Sequence, residues 1–320
     1  MRRFRRFWLI FVALVTALFG VYRVREHMTA DDSVPVFQRE EGVLEISVKD
    51  GQEVLLQGLT ASDGKDGDLT QDILVEKMSN FYGDGQRVVT YVVFDSDGNC
   101  ARMEREIAYR DYTSPRFSLD RSLRFATGEK IDLYEFITVT DCLDGDLSNK
   151  LTLQMDSNIN NRSAGIYKIE YSVSNSAGDT VYLPVDLEVY QYRVGMAQLV
   201  LSDYLLYYDG TTPDYAAMVE MVTIGTTELE VVDDRSLGED EVPEDTENED
   251  AEDETPDDTE NVTEGETEDV VEEQPMVAYL SNVTVQSMVN TWAPGVYPVY
   301  LTYDDGTYEG TQVILVVVEE

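Results

Sequence analysis

Histidine and cysteine are almost absent from this sequence, which has one histidine and two cysteines in 320 residues. The histidine, His27, lies just after an N-terminal apolar run. A single histidine in that position cannot complete a Ser/His/Asp or Cys/His catalytic arrangement, and it cannot build a histidine-based metal site. Phosphate-cradling glycine loops before a helix are also missing. We therefore expect a protein that is not an enzyme.

Basic residues are scarce as well, because 23 lysines and arginines stand against 64 aspartates and glutamates, for a formal net charge of −41. The imbalance is concentrated in residues 239–273, which contain 20 acidic residues and no basic one. A surface field of this sign repels phosphate backbones. The composition thus argues against a nucleic-acid partner.

A hydrophobic run at residues 7–22 has four arginines before it and Arg23 and Arg25 after it. A basic start followed by such a run directs the rest of a chain across a membrane. The run is shorter than the roughly 20 residues of a usual spanning helix, but flanking arginines can reach the interface. We predict a cytoplasmic stub and an uncleaved signal-anchor helix within residues 1–30, with the N-terminus cytoplasmic. A removed signal peptide is the alternative, and both place the following residues outside the cytoplasm.

A repeated motif organises the rest of the chain. The sequence DGDLT at residues 66–70 returns as DGDLS at 144–148, 78 positions later. Its surroundings match too, since VPVF at 34–37 and YVVFDSDGN at 91–99 align with SPRF and YSVSNSAGD 80 positions further on. Because three landmarks keep one register and the period is domain-sized, we predict tandem domains at residues 31–110 and 111–191.

Short alternating stretches broken by Gly, Asp and Asn predict β-strands in both repeats, and residues 69–78 read as a turn followed by a strand. About seven short strands in roughly 80 residues are typical of an antiparallel sandwich. The clearest predicted strands are residues 43–48, 88–94, 105–109, 122–125, 166–173 and 181–189.

A third, interrupted copy follows at residues 192–320. GVYPVYLTY at 295–303 aligns with GIYKIEYSV at 165–173, and the acidic segment occupies the place of the Asp-Gly-Asp loop. Such a composition cannot bury enough apolar area to fold. We predict a disordered insert at residues 235–275, which acts as a solvated spacer or contacts a basic partner.

The stretch TASDGKDGDLT at 60–70, followed by the Tyr-x-Val-x-Asp-x-x-Gly-Asn pattern from residue 91, resembles the bacterial Ig-like surface-protein domain, also met in HYR-type and cadherin-like modules. The resemblance covers residues 34–190 well and 195–320 weakly. It implies an extracellular β-sandwich used for spacing, adhesion or ligand presentation. The expected fold class is all-β: tandem Ig-like antiparallel β-sandwiches with an N-terminal transmembrane helix.

Cys100 follows the Asp97-Gly98-Asn99 turn of the first repeat, whereas Cys142 lies in the Asp-rich loop of the second. If the sandwiches are stacked end to end, these loops lie about 30–40 Å apart, far beyond the roughly 7 Å between Cα atoms that a disulfide allows. We predict two free thiols.

Carboxylates crowd one loop in each of the first two repeats, and Asp95, Asp97, Asn175 and Asp179 come from the loops expected beside them. Oxygen ligands from neighbouring loops are what Ca²⁺ requires. The alternative is turn chemistry, in which Asp side chains accept backbone N–H bonds and Gly supplies positive φ. The candidate Ca²⁺ ligands are Asp63, Asp66, Asp68, Asp141, Asp144 and Asp146.

Tyrosines of the third copy provide an aromatic platform for a glycan or peptide, or else pack half-buried on the strands. They are Tyr207, Tyr208, Tyr297, Tyr300, Tyr303 and Tyr308. We predict a membrane-anchored cell-surface protein with an unknown protein or glycan ligand and no required cofactor except a possible Ca²⁺. The alternative is an accessory or weakly catalytic carbohydrate-active envelope protein that uses a carboxylate pair.

Overall fold

The computed structural model describes residues 2–29, 32–83, 85–155, 158–236 and 277–319. Apart from Arg235 and Ser236, the predicted disordered insert at 235–275 lies outside the described residues. The chain divides into two compact units. The first comprises Met1–Arg116, Thr140–Lys150 and Val173–Val181, and the second comprises Phe117–Val139, Leu151–Ser172 and Tyr182–Glu320.

The N-terminal segment is one α-helix, α1 (Arg2–Thr29). Its span Phe7–Arg25 has 19 residues and a mean hydropathy of 2.0, which is long and apolar enough to cross a membrane. A signal sequence has the same properties. The predicted helix is therefore present, and its role as an anchor is taken up below as a proposal.

The first sandwich contains seven strands in two sheets, ordered β1-β3-β4 and β2-β7-β6-β5. As predicted for residues 69–78, a 3₁₀ turn at Thr70–Asp72 precedes a strand. The strands are β1 (Val36–Arg39), β2 (Leu44–Ile46), β3 (Leu59–Asp63), β4 (Gly67–Asp68), β5 (Leu74–Met78), β6 (Gln86–Phe94) and β7 (Cys100–Tyr109).

The second sandwich repeats this order strand for strand, with sheets β11-β10-β8 and β12-β13-β14-β9. The 3₁₀ turn returns at Ser148–Lys150, again directly before an edge strand. The strands are β8 (Arg116–Leu119), β9 (Arg124–Ala126), β10 (Ile137–Asp141), β11 (Gly145–Asp146), β12 (Thr152–Met155), β13 (Gly165–Ser174) and β14 (Thr180–Tyr190).

The third sandwich has sheets β15-β17-β18-β19 and β16-β22-β21-β20. Its strands are β15 (Ala197–Leu201), β16 (Leu205–Tyr207), β17 (Val219–Ile224), β18 (Thr227–Val232), β19 (Val277–Tyr279), β20 (Val283–Ser287), β21 (Gly295–Asp304) and β22 (Glu309–Val318). The Asp-Gly-Asp loop is replaced partly by an ordered hairpin, because β17 turns into β18 with Ile224 opposite Thr227. The sequence analysis missed β18, whose TELEVV segment alternates polar and apolar residues.

The predicted all-β fold class with an N-terminal helix is confirmed. The strands are not purely antiparallel, however, because β18–β19 and the pairs β2–β7, β9–β14 and β16–β22 are parallel. In each sandwich the first strand belongs to one sheet, and the second strand belongs to the other sheet, where it lies beside the last strand. A strand that changes sheets without reversing its direction meets that last strand in parallel.

Alternating side chains from both sheets fill the cores. In the first sandwich Val89, Tyr91 and Val93 of β6 are fully buried and pack with Leu59 and Ile107. The hydroxyl of Tyr91 donates to the Leu55 carbonyl at 2.7 Å, so the one polar atom of this ring has a partner. Burial of each large apolar side chain stabilises the fold by about 1.5–3 kcal/mol.

Candidate functional site

The carboxylates of the first Asp loop (residues 63–70) accept hydrogen bonds from their own turn and from the loop after β6. Asp63 Oδ1 accepts from the backbone N–H groups of Lys65 at 2.8 Å and Asp66 at 3.1 Å. Asp66 accepts from both the N–H and the hydroxyl of Ser96, each at 2.8 Å. The loop after β6 therefore lies beside the Asp loop, as the sequence analysis predicted.

The second Asp loop (residues 141–148) repeats these bonds. Asp141 Oδ1 accepts from the N–H groups of Leu143 at 2.9 Å and Asp144 at 2.8 Å. Asp144 accepts from the N–H and the hydroxyl of Ser176, each at 2.6 Å. The same side chains thus fix the same loop conformation in both repeats.

The last aspartate of each loop caps the 3₁₀ turn that follows. Asp68 Oδ1 accepts from the Thr70 N–H at 2.9 Å, and Asp146 Oδ1 accepts from the Ser148 N–H at 2.9 Å. These bonds stabilise the charged form, since the hydrogen bonds from Thr70 lower the pKa of Asp68. The six predicted site residues therefore all accept backbone N–H bonds.

Basic side chains also reach the loops. Lys65 Nζ lies 2.5 Å from Asp97, and Lys150 Nζ lies 3.6 Å from Asp144. Burial raises the pKa of Asp144, but the hydrogen bonds from Ser176 and the charge of Lys150 lower it further, so the net shift is downward. Within the described residues, no group of three or more His, Cys, Asp or Glu side chains is arranged to hold a metal ion. Turn capping accounts for the observed contacts, and Ca²⁺ binding stays a prediction.

Tyr112 lies in the segment between strands β7 and β8, which joins the first two sandwiches, and it contacts the β13–β14 turn of the second. The hydroxyl of Tyr112 donates to Asp179 Oδ2 at 2.5 Å and accepts from Asn175 Nδ2 at 2.8 Å. Asn175 also donates to Asp141 Oδ2 at 3.2 Å, which joins the tyrosine to the second Asp loop. Burial first, and then the Asp179 carboxylate, raise the pKa of Tyr112.

The first repeat adds an aromatic contact and a backbone bond to this junction. The ring of Phe81, in the β5–β6 loop, packs edge-on against Tyr112 with 4.7 Å between centroids. The Phe81 N–H donates to the carbonyl of Ala177, a fully buried residue in the β13–β14 turn, at 2.8 Å. We call Phe81, Tyr112, Asn175, Ala177 and Asp179 the junction. Phe81 was not predicted as a contact residue, and its only signal in the sequence is an aromatic residue in a short loop.

Both cysteines are free thiols in the structure, and Cys142 is exposed. Cys142 Sγ lies beside the junction, where it donates to the Thr113 carbonyl at 3.1 Å. The prediction that Cys100 and Cys142 do not form a disulfide thus agrees with the structure.

The predicted aromatic platform is not a single exposed surface. Tyr303 is fully buried, and its hydroxyl donates to Asp305 at 3.1 Å. Tyr207 is partly buried, and its hydroxyl accepts from the Phe117 N–H at 2.8 Å. Packing therefore explains these two rings, whereas Tyr300 lines a cleft.

The cleft lies inside the second compact unit and has a volume of about 300 Å³. One wall comes from β13 and β14 and contributes Lys168, Asp186 and Glu188, while the other comes from β21 and β22 and contributes Pro298 and Tyr300. A few polar groups among apolar ones in a concave surface are typical of small-molecule sites. No sequence motif marks this cleft, because its lining residues come from distant strands.

No protein-family model matches the chain, and no curated protein matches it either. Solved structures of low similarity do match. The structure of CBM51-2 in complex with GlcNAc and INT domains from Clostridium perfringens ZmpB is 17% identical, with 47% of this chain and 26% of that chain covered and a TM-score of 0.20. The chain thus spans about a quarter of that structure.

Cadherin structures match over more of the chain. Cadherin domains 1–5 of protocadherin gamma B2 are 8% identical, with 89% of this chain and 53% of that chain covered and a TM-score of 0.20. Mouse cadherin-23 EC22–24 is 12% identical, with 90% and 99% covered and a TM-score of 0.18. At these values the chain is not assigned to any of these families.

Proposed function

We propose that this chain is a membrane-anchored extracytoplasmic repeat protein that binds or spaces partners at the cell surface without catalysis. In this proposal α1 is an uncleaved anchor with its N-terminus in the cytoplasm, and the sandwiches lie outside. The flanking arginines and the 19-residue span Phe7–Arg25 support the anchor. A protein or glycan is the expected ligand.

The observation that carries the proposal is the junction. A spacer must hold consecutive domains in a defined arrangement, which a free linker does not do. Tyr112 makes two side-chain hydrogen bonds to the second repeat, and the Phe81 N–H adds a backbone bond. Because these bonds use both side-chain and backbone groups, the first two repeats are connected by more than the covalent chain.

The carbohydrate-active alternative needs two carboxylates on opposite sides of a scissile bond. Asp186 and Glu188 line the cleft, but both belong to β14 and alternate residues of a strand point to one face. Glu188 is also paired with Arg124 at 2.6 Å. This arrangement supports binding better than hydrolysis, and a hydrolysis assay on the full chain with aryl glycosides tests the alternative.

Labelling of Cys142 tests the proposed topology. A full-length Cys100→Ser chain keeps one thiol, the exposed Cys142. We expect a membrane-impermeant maleimide to label it in intact spheroplasts. Phe4→Cys in a Cys100→Ser/Cys142→Ser chain is the matched control, and we expect it to react only after permeabilisation.

The opposite pattern would overturn the proposed orientation. Labelling of Cys142 only after lysis would place the repeats in the cytoplasm. Mass spectrometry of the labelled chain separates the two forms of the N-terminus, because a signal anchor retains Phe4 and a removed signal peptide does not.

A further inference from the structure

The outward face of the β21–β22 pair is unusually apolar for a sandwich exterior. Val299 and Ile314 point into the core and are fully buried, so their strand neighbours point outward. These outward positions include Val296, Pro298 and Leu315, all of which line the cleft. Outward positions on sandwich strands are ordinarily polar. The wall therefore offers apolar contact together with the Tyr300 ring.

The facing wall adds charged groups to apolar ones, since Ile166 and Pro184 also line it. Lys168 of β13 and Asp186 of β14 are exposed and line the same cleft. An ammonium group supplies hydrogen-bond donors only, and a carboxylate supplies acceptors only. A ligand in the cleft thus meets charged hydrogen-bond donors and acceptors on the β13/β14 side and apolar contacts on both sides.

Two of the lining residues, Arg124 and Glu188, form an ion pair. Arg124 Nε donates to Glu188 Oε2 at 2.6 Å, and the Arg124 side chain is only 16% exposed. The same guanidinium also donates to the Thr311 carbonyl and lies over the Tyr190 ring, 5.1 Å from its centroid. These contacts hold the planar group in one position, so the site is preorganised.

The charged side chains that line the cleft sum to zero formal charge, although the whole chain is strongly negative. Arg124 and Lys168 oppose Asp186 and Glu188, so the lining is formally neutral within a chain of net charge −41. A cationic ligand would be drawn to the acidic surface elsewhere, and an anionic one would be repelled by it. Local neutrality favours an uncharged ligand with many hydrogen-bonding groups.

We propose that the cleft binds a neutral saccharide. A pyranose has an apolar C–H face for the Tyr300 ring and hydroxyls that both donate and accept, which suits Lys168 and Asp186. The volume of about 300 Å³ is at the lower end of ligand pockets, which favours one or two sugar units. This inference rests on the proposed binding function and specifies its ligand class.

Saturation-transfer NMR on the full chain in nanodiscs tests it. The probes are methyl β-glucoside, methyl β-galactoside and N-acetylglucosamine, with N-acetylneuraminic acid and glucosamine as the anionic and cationic comparisons. We expect at least one neutral sugar to receive saturation, strongest at its ring C–H protons, and to bind more tightly than both charged sugars.

Variants locate the binding. Tyr300→Ala and Asp186→Asn should each weaken binding at least about fivefold. Tyr300→Phe retains the ring and should bind almost as the parent does. Tyr182→Ala is the matched control, since Tyr182 is an exposed tyrosine of β14 outside the cleft lining. Unchanged unfolding temperatures confirm that each variant is folded.

No transfer to any neutral sugar, or equal binding by Tyr300→Ala and the parent, would overturn the saccharide inference. Stronger binding of a charged probe would overturn the neutrality argument in the same way. Such results leave the Cys142 labelling pattern unchanged, so failure of this inference is distinguishable from failure of the proposed surface location.

Discussion

The Tyr112 hydroxyl donates to Asp179 Oδ2 at 2.5 Å across the junction of the first two repeats. In the first repeat the equivalent turn is closed internally, because Asn99 Nδ2 donates to Asp95 Oδ2 at 2.8 Å. The second repeat has Asn and Asp in the reverse order at residues 175 and 179, and there Tyr112 connects them. The second turn is thus completed by Tyr112 of the β7–β8 segment.

Tyr112→Phe removes this connection and leaves the ring in place. The Asn175 amide and the Asp179 carboxylate each lose a partner in a partly buried setting, so we expect the free energy of unfolding to fall by about 1–3 kcal/mol. Urea unfolding of the full chain in nanodiscs measures it. Tyr82→Phe, at a neighbouring exposed tyrosine, should change little. Equal effects of the two variants would contradict the junction's contribution.

Alkaline pH should destabilise the fold through its buried tyrosines. Burial raises the pKa of Tyr91, and burial together with the Asp305 carboxylate raises the pKa of Tyr303 to about 12. The unfolded chain loses these protons near pH 10 while the folded chain retains them. The stability contributed is therefore complete below about pH 10 and is lost as the pH rises toward about 12. Urea midpoints that stay constant from about pH 9 to 11 would contradict this.

Equivalent glycines of the two repeats provide a matched pair of substitutions. Gly98 and Gly178 have φ of +90° and +82°, so Ala at either position is strained by about 1–2 kcal/mol. A Cβ at Gly98 meets nothing within 4 Å, whereas one at Gly178 lies 2.6 Å from Asn80 Nδ2 and 2.7 Å from its Cγ. We expect Gly178→Ala to cost at least about 1 kcal/mol more in thermal or urea unfolding. Equal costs would mean that Asn80 does not pack against this turn.

The Asp loops give separate expectations for stability and for metal binding. In EDTA, Asp66→Ala/Asp144→Ala should lower the free energy of unfolding by about 1–2 kcal/mol, because each carboxylate accepts two hydrogen bonds from a serine. Calorimetric titration of the full chain with Ca²⁺ tests the predicted sites. A bound ion gives heat and a higher unfolding temperature in the parent but not in the variant. The absence of both would leave the loops as turns.

The repeat register made much of the fold predictable. The DGDL motif and the strand before each Asp-Gly-Asn-type turn are local sequence patterns. Because they recur about 80 residues later, the strand predicted at β6 also predicted its counterpart β13. The adjacency of the two loops also followed from topology, and the Ser96–Asp66 and Ser176–Asp144 bonds show it. Three of the missed parallel pairings depend on a change of sheet after the first strand of each sandwich, which the alternation of polar and apolar residues does not encode.

The junction and the cleft were harder to predict because both depend on contacts between repeats. Phe81 and Ala177 are 96 positions apart, and although Ala177 lies in the repeated turn pattern at 171–179, Phe81 belongs to no repeated motif. Likewise, the sequence does not distinguish Lys168 and Tyr300 from other outward-facing strand residues, and only the folded structure brings them to one cleft. The alternation of apolar and polar residues indicates which face of a strand points into the core. It does not indicate which outward face lies against another sandwich.

Hydrogen exchange at the Phe81 amide tests most directly whether the first two repeats are joined in a defined arrangement. This amide is in a loop, and its acceptor is the Ala177 carbonyl of the second repeat at 2.8 Å. The Ser79 amide donates to the Val88 carbonyl at 2.8 Å within the first repeat and is the internal reference. We predict that both amides are protected in the full chain and that Tyr112→Phe accelerates exchange at Phe81 alone. Unprotected exchange at Phe81 beside a protected Ser79 in the parent chain would contradict the proposed junction.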